Sequence, residues 1–69
     1  MKELKRLFLK HNPGTESLWQ AIEALADGDP IAAVDRIQEL AERDLSVSLP
    51  TDALDEAWSI AMPSNGGAT

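Results

Sequence analysis

The chain has no cysteine, so neither a disulfide nor a thiolate metal site can hold it together. The same absence fits a cytoplasmic setting. There is no tyrosine and a single phenylalanine, Phe8, which leaves little to stack nucleic-acid bases. The one histidine, His11, has no second ligand or nucleophile beside it in sequence and reads as a surface residue. Long apolar runs are missing too. Leu7, Phe8 and Leu9 before Lys10 are too short for a signal-peptide core, and nothing approaches the roughly 18 residues of a membrane span. Nucleic acid and membrane are therefore not expected as partners.

What remains is 69 residues that are 43% hydrophobic, with ten alanines among the hydrophobic set. Alanine buries little area, so the few large side chains must pack efficiently or the fold must be completed by a partner, a second copy included. A homodimer is thus possible. The net charge of −6 is unevenly spread. The first ten residues hold four cations (Lys2, Lys5, Arg6, Lys10) against Glu3, a net +3. The rest holds Arg36 and Arg43 against eleven acids, a net −9. Such polarity suits a basic first helix that docks on the acidic body or on an acidic partner.

Leu4, Leu7 and Phe8 fall at i, i+3, i+4 spacing and predict a helix over residues 2–11. Pro13 disfavours helical geometry at Asn12 and ends it. Asn12 can then cap the next helix with Pro13 at its first position, or Thr15 can cap a slightly later start. Leu18, Trp19, Ile22, Leu25 and Ala26 recur with helical period, with Trp19 expected in the core. Asp27-Gly28 breaks this helix, Gly28 being able to take the left-handed cap geometry cheaply. Asp29-Pro30 starts a third helix as an acidic N-cap followed by proline. Ile31, Val34, Ile37, Leu40 and Ala41 should face inward from it, and Glu39 and Arg43 stand i, i+4 in the favourable order. Capping accounts for both Asp27 and Asp29, so no metal is assigned to them.

After Asp44 the period changes. Leu45, Val47 and Leu49 alternate with Ser46 and Ser48, which reads as an extended segment with one apolar edge. It either lies across the helices as a lid or offers its edge to a strand of another protein. Thr51 is a candidate N-cap, with Asp52 and Asp55 suited to a first helical turn. Leu54, Ala57, Trp58 and Ala61 would form one short apolar face. Pro63 ends the pattern, and Ser64 to Thr69, with Gly66-Gly67, has nothing to bury. The expectation is all-α: a small bundle of three to four short helices in a single domain over 1–62, an extended apolar connector, and a flexible Gly-rich tail over 63–69.

Helix junctions near 12–15, 27–30 and 44–51 leave no phosphate loop, no paired metal ligands and no nucleophile–base pair. The carboxylates fall at caps or on polar faces, whereas general acid–base work needs a pair held in a cleft. The chain is expected to be non-enzymatic, with no catalytic residue, metal or cofactor.

With its junctions placed, the chain resembles the nitrogen-fixation-associated, double-glycine leader-peptide family of bacterial precursors of ribosomally synthesised, post-translationally modified peptides. The resemblance runs over roughly residues 4 to 67. It is carried by Phe8, Asn12-Pro13, Leu18 to Leu25, Asp29-Pro30, Glu39-Leu40-Ala41-Glu42, Leu45 to Leu49, the stretch from Thr51 to Glu56, and Gly66-Gly67. Where that family usually has a glycine before its connector, this chain has Asp44-Leu45. The resemblance implies a helical leader recognised by a modifying enzyme or a processing transporter, with cleavage behind Gly66-Gly67. Cleavage there would release only Ala68-Thr69, so the part acted upon would lie within Trp58 to Thr69, or the protein would be a free-standing member with another role.

The partner is accordingly expected to be a protein: a modifying enzyme, a processing transporter or another regulatory target. Leu45, Val47, Leu49, Leu54 and Trp58 are the candidate recognition residues, and Gly66 and Gly67 the candidate processing site. The alternative is a small acidic interaction module, an adaptor, docking domain or inhibitor, possibly homodimeric.

Overall fold

A computed structural model describes residues 1–44 and 46–62. Four helices follow one another: α1 (Lys2–His11), α2 (Glu16–Ala26), α3 (Pro30–Arg43) and α4 (Thr51–Ala61). Each packs on the next, and α4 returns to pack on α1, so the bundle closes on itself. The described residues contain no strand. None of their helices is long and apolar enough to cross a membrane. The all-α bundle expected from the periodicity is what forms; the tail from Pro63 to Thr69 lies outside the described residues.

Trp19 and Phe8 are both 1% exposed and anchor the centre, with ring centroids 5.8 Å apart and tilted by 37°. That geometry is within the range favoured for aromatic pairs. Leu4, Ile22, Val34 and Ile37 fill in around them from α1, α2 and α3. The Trp19 indole N–H has no acceptor among the described residues, so packing alone holds the ring.

Two inward stripes are narrower than the sequence pattern suggested. Leu25 is 66% and Ile31 44% exposed. On a helix one residue is a step of about 100°. Leu25 stands one step from Ala26, off the face that Trp19, Ile22 and Ala26 bury, and Ile31 is likewise off the face of Ala33, Val34 and Ile37. His11, expected at the surface, is half-buried.

The fourth helix is rotated relative to expectation. Its inward residues are Ala53, Ala57 and Ala61, at 3%, 1% and 7% exposure, while Leu54 and Trp58 are half-buried at its flank. The large side chains of α1 to α3 already occupy the centre, and only the small-residue face lets the α4 backbone approach without overpacking.

The caps divide similarly. Asp29 caps α3 as expected, its Oδ1 accepting the Ile31 N–H at 3.0 Å. At the end of α2 the left-handed cap residue is Asp27 (φ 54°), with Gly28 following at φ 79°. α2 takes the later of the two starts, after Thr15, whose hydroxyl donates to the Asn12 carbonyl. Pro50, not Thr51, flanks the start of α4. Glu39 pairs with Arg36 at 3.5 Å, one turn back, in place of Arg43. Both partners are about half exposed, so the exchange carries little energy.

Candidate functional site

The connector between α3 and α4 begins in a turn. Asp44 Oδ1 accepts the Ser46 hydroxyl at 2.7 Å and the Ser46 N–H at 2.9 Å, and the Val47 N–H donates to the Asp44 carbonyl at 3.0 Å. These bonds, the hydroxyl first and then the backbone N–H, hold the Asp44 carboxyl below its ordinary value. An aspartate that accepts from the backbone two residues on competes well with an extended conformation. The first part of the segment is therefore not the continuous extended run that alternation suggested.

Val47 then turns inward and is 6% exposed, within the core. The next residue is clasped from the junction between α1 and α2. Asn12, 5% exposed, accepts the Ser48 N–H on Oδ1 at 2.6 Å and donates Nδ2 to the Ser48 carbonyl at 2.9 Å. Its Nδ2 also lies 3.1 Å from the Phe8 carbonyl, which already accepts the Asn12 backbone N–H at 2.9 Å. The side-chain amide thus pairs with the Ser48 peptide as a neighbouring strand would. Of the two uses open to this segment, lying across the helices is the one the geometry realises at Val47 and Ser48.

The four described candidate recognition residues differ in accessibility. Val47 is inside, while Leu49, Leu54 and Trp58 are half-buried against the core. Leu54 and Trp58 stand one turn apart on α4 and share a face. Leu45, Gly66 and Gly67 lie outside the described residues.

Asn12 has a role that local sequence reasoning missed. Before a proline it reads as a helix cap, and its partner is 36 positions away, so no spacing rule reaches it.

A second feature lies between α1 and α4. Two adjoining depressions of about 220 and 310 Å³ share Glu3 and Ile60 in their walls. Leu7 and Ile60 give the first an apolar floor, and Arg6 and Lys10 stand at its rim with Glu3 and Glu56. The second continues past Lys2 and Leu4 towards Gly28 and Pro30. Among the described residues the one ion pair within 4 Å is Arg36–Glu39, so the cations of α1 are not locked onto the acidic body. The signal for this groove was present in sequence as Lys2, Arg6 and Lys10 at i, i+4, i+8.

No three metal-ligating side chains converge among the described residues. The arrangement offers surfaces for binding: half-buried apolar side chains on one flank of α4 and a cation-rimmed groove on the other. Compared with family models, with curated proteins and with solved structures, the chain matches none.

Proposed function

We propose that this protein is a non-enzymatic, precursor-like peptide whose helical body is recognised by a modifying or processing enzyme acting on the stretch from Trp58 to Thr69. The observation that carries this reading is the division of the chain. Among the described residues the packed core runs as far as Ala61, at the end of α4, and the Gly66-Gly67 pair follows it in sequence. A helical body that precedes the target in sequence gives a partner a preformed unit to grip. The resemblance to double-glycine leaders, resting on the residues quoted above, points the same way.

Mass spectrometry of the protein isolated from its native host cells, with any enzymes encoded next to it expressed, tests the proposal. The expected result is a mass change confined to residues 58–69, by modification or by cleavage behind Gly67. An unmodified full-length mass in those cells would sink it.

A second reading, a small acidic interaction module, is favoured by the groove between α1 and α4, which gives a partner somewhere to sit without any chemistry on the tail. A stable stoichiometric complex with a protein that neither modifies nor exports the chain would favour it. A homodimer predicts a melting temperature that rises with concentration.

A further inference from the structure

We infer that the groove between α1 and α4 receives a short, extended, acidic segment of a partner protein, anchored by an apolar side chain. The floor supplies the anchor site: Leu7 and Ile60 line it, Leu7 is already 6% exposed, and an apolar side chain seated there removes chiefly the half-buried Ile60 from water. The rim supplies the charge. Lys2, Arg6 and Lys10 follow the groove along α1 and are exposed, and none has a carboxylate within 4 Å among the described residues. Their donors are available to a ligand carboxylate. From Lys2 to Lys10 is about 12 Å of helix, the length of about four extended residues.

The rest of the molecule reinforces the choice. Outside the first ten residues the chain carries −9, so an acidic segment is repelled from the surfaces of α2 and α3 and from α4 away from the groove, and is tolerated where the α1 cations stand. That contrast fixes where the segment lands and speeds its arrival more than it deepens affinity. Glu3 and Glu56 in the same walls disfavour a segment with carboxylates at every position and favour one in which they alternate with apolar residues. The groove belongs to the body, so the inference stands whether the segment comes from a processing enzyme or from a regulatory target.

The test uses the full chain and a fluorescein-labelled hexapeptide alternating leucine with glutamate, read by fluorescence anisotropy and by methyl shifts of Leu7 and Ile60. Saturable binding that weakens as salt rises is expected. The double substitution R6E/K10E should weaken it at least about tenfold. R36E/R43E, the same change of charge on α3, should alter it less than about twofold. Circular dichroism of both variants checks that the exposed substitutions leave the helices intact. A peptide alternating glutamine with glutamate, lacking the anchor, should bind more weakly.

Absence of saturable binding, equal loss in both double variants, or shifts elsewhere than Leu7 and Ile60 would overturn the inference. So would two rival occupants: tight binding to phosphatidylglycerol vesicles without peptide binding, or a self-associated species in sedimentation equilibrium that R6E/K10E dissolves.

Discussion

Replacing Asn12 with alanine removes one side chain and tests how the connector is held. Three hydrogen bonds leave with the carboxamide, but they are not equivalent. The Phe8 carbonyl keeps the Asn12 backbone N–H at 2.9 Å, so the bond it loses from Nδ2 leaves no unsatisfied group. The Ser48 N–H and carbonyl lose their partner outright. Each such bond contributes a net of about 1 kcal/mol, more when the abandoned group is kept from water. Both of these lie in a part-buried position where water can replace some of what is lost. The expected cost is therefore about 2 kcal/mol, not the 3 that a count of bonds would give. A domain of this size is stable by only about 3 to 10 kcal/mol, and Tm should fall by roughly 8 to 16 °C.

Thermal denaturation followed at 222 nm gives the stability change, and amide exchange at Ser48 gives its location. An Asn12→Asp variant sharpens the test. It keeps an acceptor for the Ser48 N–H but turns the donor that met the Ser48 carbonyl into a carboxylate oxygen. In the folded state that carboxyl should titrate above its unfolded value, because protonation restores a donor. The variant's deficit should be largest above the folded pKa and shrink as pH falls through it. A stability loss below about 0.5 kcal/mol for Asn12→Ala, with Ser48 exchange unchanged, would refute the reasoning; surface substitutions routinely do that little.

Val47→Lys should lower Tm and helix content together, by about 2 kcal/mol or more, because it places an ammonium where a 6% exposed valine packs; intact stability with weakened partner binding would show the connector to be a recognition edge instead. Ala57→Leu should cost about 1 to 3 kcal/mol by overpacking a position 1% exposed, read by urea denaturation, whereas Leu25→Gln at 66% exposure should stay within about 0.5 kcal/mol. Asp44, held below its ordinary value of 3.8 by Ser46, contributes above that value and loses its contribution as pH falls through the lowered folded value. A Ser46→Ala variant should therefore return the Asp44 titration, followed by carboxyl NMR, towards 3.8.

The helices were legible because their signals are local. Asp29-Pro30 starts α3 where the sequence says it should, and Pro13 coincides with the chain leaving α1, since caps and prolines act on their immediate neighbours. Which face of a helix turns inward is decided by what is already inside. The α4 pattern of Leu54 and Trp58 reads as an amphipathic stripe, yet with Phe8, Trp19 and Ile37 from the other helices at the centre the fully buried residues of α4 are its alanines. Hydrophobicity alone ranks Leu54 above Ala53; packing reverses the order. The Asn12–Ser48 clasp lies beyond any such reading, because it is a contact between two junctions that become neighbours only when the bundle closes. The cation stripe of α1 was visible, but that it borders a groove follows from α4 packing beside it.

The position of α4 connects these features. It buries three alanines and half-buries Leu54, Trp58 and Ile60, and at 11 residues it is too short to be helical unaided. Its helicity therefore depends on that docking against α1 and α3. One wall of the cation-rimmed groove is α4 itself, through Glu56 and Ile60. A segment seated in the groove contacts α1 and α4 together and so stabilises the docked state by its affinity for it. On the proposed reading, α4 also carries the residues acted upon. Occupying the groove would then do more than hold the body: by fixing α4 it would fix the point from which the chain continues, and a partner could grip and position its target through one contact.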